Sequence, residues 1–232
     1  MAKQARKSRA RPAPRAKQPL PPPLPPETRT VGQLVAETIR FYGGHFWPSL
    51  ALGLAPAGLA VASTFLDRWG QFVVYETGGA LLFSTSYVAG CALVAGGTVS
   101  RQRLATAWLA GVLIWIPFPF LALGIVLPGV AWLALIGLAV PAAVVEGTPL
   151  RAALGRGIRL GRADYVHSLG SLATLVVVVG ATSFLLSLLI HTGSDQAIRV
   201  AVFLSNLVVS PIVFLGAALL YYDQAARAEA RK

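Results

Sequence analysis

Charge is scarce in this chain: only 12% of its 232 residues are charged, and nine of those are acidic against twenty basic. No carboxylate lies deep within an apolar run, and no GxSxG, HExxH or Walker pattern occurs. Conventional hydrolytic and nucleotide-driven catalysis therefore have no residues to stand on. Cysteine is scarcer still, since Cys91 stands alone inside an apolar run. That excludes an intrachain disulfide framework and a metal site made of paired thiolates. The three histidines, His45, His167 and His191, are widely spaced. His191 is expected at the opposite end of the molecule from the other two, so they form no common site and each suits the membrane interface. Gly155, Gly157 and Gly161 in GRGIRLG have the wrong spacing for a dinucleotide loop, and no strand precedes them. No cofactor and no metal is expected.

A net charge of +11 raises the question of nucleic acid. The cations flank apolar runs instead of covering a folded basic face, and interleaved aromatic platforms are missing, so nucleic acid is not an expected partner.

What the chain has in abundance is hydrocarbon. Hydrophobic residues make up 55% of it and the mean hydropathy is +0.65, values that place most of the chain in lipid rather than water. Six runs near the 20 residues a helix needs to cross the hydrocarbon lie at about 47–66, 80–99, 104–123, 128–145, 166–190 and 198–222. Between Arg103 and Glu146 come 42 residues without a charge, enough for two crossings joined by a tight turn. Residues 67–79 and 191–196 read as short polar loops.

Two further helices are amphipathic. Thr30 and Gln33 make a capping box for a helix with Val31, Leu34, Val35 and Thr38 on one face against Glu37 and Arg40. Gly147 can close the fourth span, after which Thr148 serves as N-cap and Pro149 as the first residue of a basic helix. There Arg151, Arg156, Arg159 and Arg162 share one arc and Leu150, Ala153, Leu154, Ile158 and Leu160 the other. The expected place is the headgroup boundary, with the apolar face on acyl chains or neighbouring helices and the arginines on anionic headgroups.

The expected architecture is thus all-α: a polytopic membrane protein with six transmembrane helices and two interfacial ones, spanning residues 31–223. Residues 1–30 form a basic, proline-rich tail expected to be disordered, and 224–232 a charged tail. Eighteen of the twenty basic residues fall on the side of the two termini, with only Arg68 and Arg199 opposite. The positive-inside rule makes that side cytoplasmic.

Two polar constellations remain. Glu146 and Asp223 stand at the inner ends of the fourth and sixth spans, where ion pairs with nearby arginines would fasten separate helices. Asn206, with Ser210 and Pro211, lies mid-span, where it either hydrogen-bonds another helix or lines a pathway beside a proline kink.

The order of Pro141, the VVE ending at Glu146, an arginine helix of the form AL-x-R-x-x-R-L-x-R and a last span ending LLYYD resembles the glycerophosphoryl diester phosphodiesterase membrane-domain family. The opening VGQLVAETIRFYGGHFWP resembles that family's first helix, so the likeness covers about residues 31–227. It implies a six-helix protein of the inner membrane of a bacterium in which Pro141, Glu146, Ala153, Arg156, Leu160, Tyr221, Tyr222 and Asp223 hold patterned positions. The chain departs from the pattern at Gly157, where a serine is usual, and at Ala225, where an arginine is. The phosphodiesterase of the family name is a separate soluble barrel whose metal ligands this chain lacks. The leading functional expectation is a non-catalytic envelope or lipid-associated scaffold or accessory subunit. Its partners would be anionic lipids and a membrane protein or a second copy. The alternatives are a transporter or export channel, and a membrane subunit of a lipid-processing enzyme.

Overall fold

The computed structural model describes residues 25–122, 125–190 and 193–231. The basic stretch from Lys3 to Lys17, its prolines and His191 lie outside them. The described residues are helical, with no strand among them, and six stretches are long and apolar enough to cross a membrane: Phe46–Ser63, Arg68–Ala95, Arg101–Leu121, Leu127–Glu146, Tyr165–Leu186 and Asp195–Ala230. The protein is a multi-pass, all-α membrane protein.

Helix α1 (Val31–Gly44) starts at the expected capping box, with the Thr30 hydroxyl accepting from Gln33 N at 3.4 Å and Gln33 Oε1 accepting from Thr30 N at 2.7 Å. Its buried face, Leu34 and Thr38, rests on the fifth and sixth spans. The first span is broken at Leu52 and Gly53 into α2 (Phe46–Ala51) and α3 (Leu54–Ser63).

The segment from Asp67 to Gly79 is not a loop. Asp67 accepts from Gly70 N at 2.9 Å and starts α4 (Arg68–Val74), which passes through a π-helical turn (Tyr75–Gly79) into α5 (Ala80–Ala95). An N-cap followed by Trp69, Phe72, Val73 and Val74 outweighs the few polar residues. Gly96, at φ 70°, ends α5 short of the expected Val99.

Helix α6 (Arg101–Trp115), capped by Ser100, leads through Pro117 to the single turn α7 (Phe118–Leu121). The fourth span consists of α8 (Leu127–Ile136) and α9 (Ala139–Glu146), and Gly147 at φ 68° closes it as expected. The next helix begins one residue later than expected. Pro149, with ψ 156°, is itself the N-cap, so Thr148 caps nothing and α10 covers Leu150–Ala163. Helix α11 (Tyr165–Ile190) is the fifth span, and α12 (Asp195–Val209) and α13 (Pro211–Ala230) make up the sixth.

Both assigned tails prove shorter than expected. Residues 25–29 carry a 3₁₀ turn (Pro26–Thr28) packed on α13, with Arg29 only 9% exposed. At the other end α13 stays helical to Ala230, with Asp223 and Gln224 fully buried. The cause in both cases is ion pairing between the two ends, described below.

Spans two, three and four pack as a unit, and α13 lies against α5, α10 and α11. Leu138, Val140, Ile114, Leu215 and Leu220 are fully buried there. The first span leans chiefly on α12 and touches α5 only sparsely.

Proline breaks recur in these spans, and at two of them the freed carbonyl faces a definite neighbour. Pro141 cannot donate to Gly137 O, which instead accepts from Val140 N at 3.3 Å and from the Tyr87 hydroxyl of α5 at 3.1 Å. Pro211 cannot donate to Leu207 O, and Gly53 of the first span packs directly on it: a Cβ at Gly53 would meet the Leu207 carbonyl carbon at 2.7 Å. In a medium without water such groups must be answered from within the protein.

Candidate functional site

The polar residues gather at the end of the bundle where the described chain both begins and finishes. There Glu146, last residue of α9, accepts from Arg156 Nε of α10 at 2.8 Å and from the Tyr221 hydroxyl of α13 at 2.7 Å, both on Oε1. Three helices meet in that one carboxylate oxygen. The hydrogen bond to Glu146 outweighs partial burial and holds the Arg156 guanidinium above its ordinary range. Arg103, from the start of α6, lies over Gly147 and donates to Val145 O at 3.4 Å, answering one of the last carbonyls of α9.

A second group ties the chain ends. Arg29 pairs with Asp223 at 2.7 Å, and Arg227 donates both to Asp164 Oδ2 at 2.8 Å and to Arg29 O at 2.6 Å. Arg231 reaches the same Asp164 oxygen at 3.8 Å. Asp164 occupies the joint between α10 and α11, where it also accepts from His167 N at 3.3 Å.

The sequence points to Glu146 and Asp223 as inner-end anchors and to α10 as the source of cations. The structure pairs Glu146 with Arg156 but gives Asp223 to Arg29, a residue assigned above to the tail. Asp164 and Arg227 form a third pair that sequence reading did not single out. The signal was present, because Asp164 sits directly after the arginine helix and Arg227 lies one turn beyond Asp223.

Helix α10 is turned so that its arginines divide. Arg151, Arg159 and Arg162 are exposed, while Arg156 is engaged with Glu146. The opposite face holds Ala153, Gly157, Leu160 and Gly161, all buried against α8 and α9. Neighbouring helices, rather than acyl chains, cover it. A Cβ on Gly157 would lie 2.5 Å from Ala139 N, and one on Gly161 would lie 2.6 Å from Ala134 O. The glycines of GRGIRLG are thus the contact points of a close helix crossing. The serine that the resembled family carries at 157 has no room on this backbone.

The mid-span residues do less between helices than their types suggest. Asn206 Nδ2 donates to Val202 O of its own helix at 2.9 Å, and Ser210 Oγ donates to Asn206 O at 2.5 Å. The interhelical bond comes from their neighbour instead, Ser205 Oγ donating to Ser183 Oγ at 3.1 Å. Pro211 interrupts the ladder between α12 and α13 as its missing N–H requires.

Among the described residues no three His, Cys, Asp or Glu side chains gather as metal ligands. His45 sits at the end of α1 with Nδ1 3.3 Å from Phe41 O, and His167 lies in the first turn of α11. The arrangement can bind anions at its exposed arginines and lock helix ends together. Comparisons with protein-family models, with curated proteins and with solved structures find no match to this chain.

Proposed function

We propose that this chain is a non-catalytic component of a cell's inner (plasma) membrane, with both termini cytoplasmic, whose basic end gathers anionic lipid headgroups. The observation that carries the reading is the division of α10: one face is locked onto α8 and α9 by Gly157 and Gly161, and the other presents Arg151, Arg159 and Arg162 outward. A rigidly held row of guanidinium groups at the end of a membrane bundle suits phosphate recognition. The sidedness is supported by the crowding of cations at that end, since among the described residues only Arg68 and Arg199 lie opposite. The resemblance to the glycerophosphoryl diester phosphodiesterase membrane-domain family agrees with a role without catalysis of its own. The transport alternative rests on Asn206, Pro211 and the broken third and fourth spans; the Asn206 amide donates within its own helix, which supports it less than a pathway-lining amide would.

The test uses the full chain reconstituted in equimolar phosphatidylglycerol and phosphatidylcholine, with spin-labelled lipids reporting which species the protein immobilises. Each arginine near a charged surface is worth at most about 1 kcal/mol. Replacing Arg151, Arg159 and Arg162 together by glutamine is expected to reduce the preference for phosphatidylglycerol on the order of tenfold or more. An unchanged preference removes the proposal, and reporter fusions placing either terminus outside the cell remove its orientation.

A further inference from the structure

Between the first, second and third spans lies a groove of about 1110 Å³ that α10 does not border. It exists because the first span leans toward α12, with Gly53 seated on the Leu207 carbonyl, and so stands away from α5 and α6. Its walls are apolar: Ala51 and Ala55 from the first span, Ala89 and Leu93 from α5, and Leu104 and Trp108 from α6. Two of the polar side chains on the floor, Trp108 and Thr85, engage each other. Trp108 Nε1 donates to Thr85 Oγ1 at 3.1 Å, and that hydroxyl donates to Leu81 O at 2.9 Å. Apart from the Ser86 hydroxyl the rest of the lining is carbon, and in a bilayer such a space is filled by hydrocarbon.

The length of the groove selects the filler. On α5 the lining runs from Thr85 to Leu93, about 12 Å at 1.5 Å per residue. One leaflet contributes about 15 Å of the hydrocarbon core. On α3 the lining stops at Ala55 and on α6 at Leu109, so the groove fades near mid-membrane. A partner's transmembrane helix would need it to continue; a lipid from one leaflet does not. The end of the groove nearest the interface carries a cation. Arg101 lies three residues before Leu104 and seven before Trp108, on the same face of α6. It is exposed and makes no hydrogen bond or ion pair among the described residues. The start of α6, with its free N–H groups and positive dipole, lies at the same level.

We propose that this groove is a binding site for one phospholipid of the leaflet on the arginine-rich side, its acyl chains between the first span and α5–α6 and its anionic headgroup on Arg101. The site goes beyond the lipid-gathering role of α10 and does not depend on it. Native mass spectrometry of the full chain released from nanodiscs of equimolar phosphatidylglycerol and phosphatidylcholine tests it. The wild type is expected to keep one phospholipid, predominantly phosphatidylglycerol. Ala89→Trp, which fills the groove from a lipid-facing position, is expected to lose that adduct. Arg101→Gln is expected to keep a lipid but to lower the preference for phosphatidylglycerol about fivefold. The triple α10 variant is expected to retain the adduct, which separates the two proposals. Absence of an adduct in the wild type, its persistence in Ala89→Trp, or a dimer that Ala89→Trp splits would each overturn the assignment, the last by placing a second copy in the groove. Should Ala89→Trp fail to fold, Arg101→Gln decides alone: an unaltered lipid preference refutes the site.

Discussion

Alanine in place of Gly157 is expected to loosen the end of the bundle where α10 crosses the fourth span. The new Cβ would stand 2.5 Å from Ala139 N and 2.8 Å from both Ala139 Cα and Cβ. Ordinary contact would require the two backbones to part by roughly 1 Å, in an interior packed too densely to absorb it locally. Overpacking of this kind costs ~1–3 kcal/mol. The upper part of that range applies here, because the obstacles are mostly backbone atoms with no rotamer to change. Gly155 in the same helix supplies the control. Its nearest obstacle is Arg159 Nη1 at 3.7 Å, the flexible end of a side chain, so Gly155→Ala gains helix propensity of up to ~1 kcal/mol. Two glycines two residues apart should therefore respond with opposite signs. Titrating a denaturing detergent into the micellar protein while following helical circular dichroism reads both variants. Equal midpoints for the two, or a later midpoint for Gly157→Ala, would refute the close crossing and with it the orientation of the α10 arginines.

Asp223→Asn removes the carboxylate from a buried ion pair with Arg29, at a cost of up to about 3 kcal/mol, and loosens residues 25–29 on α13. Trypsin should then cut after Arg29 markedly faster, and an unchanged cleavage rate would contradict the pairing. Tyr87→Phe removes the interhelical donor to Gly137 O, leaving it only the weaker bond from Val140 N at 3.3 Å, and should cost about 0.5–1.5 kcal/mol in the same detergent titration; a variant as stable as the wild type would show that the hydroxyl contributes nothing to holding α5 on the fourth span.

The spans were legible because hydrocarbon demands long uncharged runs, and the capping box and Gly147 were legible because the backbone groups at a helix end have few other partners. Three features were hidden for reasons that are equally physical. The helix from Arg68 was obscured by Asp67, Glu76 and the Gly78–Gly79 pair, which lower local hydropathy without breaking a helix whose N-cap is good. Arg29 belonged by composition to a proline-rich basic tail, and its place depends on distant partners such as Asp223, 194 positions away. The glycines of α10 look alike in sequence, yet Gly157 and Gly161 face Ala139 and Ala134 while Gly155 faces only the end of the Arg159 side chain. Such differences depend on which helix lies opposite, and that is a property of the assembled bundle. Arg156 was grouped with its three neighbours for the same reason. Its spacing puts it on the basic arc, but the position of Glu146 turns it inward.

The seat of Gly53 on the Leu207 carbonyl bears on how the chain is assembled during synthesis. The first span enters the bilayer with its helix already interrupted at Gly53, and its natural companion, α12, is among the last pieces to emerge from the ribosome. Until then the opening stretch has only the second span beside it, and when α12 arrives its own proline-exposed oxygen is covered by Gly53. A chain cut short before residue 195 would thus leave its beginning, rather than its severed end, as the part most exposed to membrane quality control.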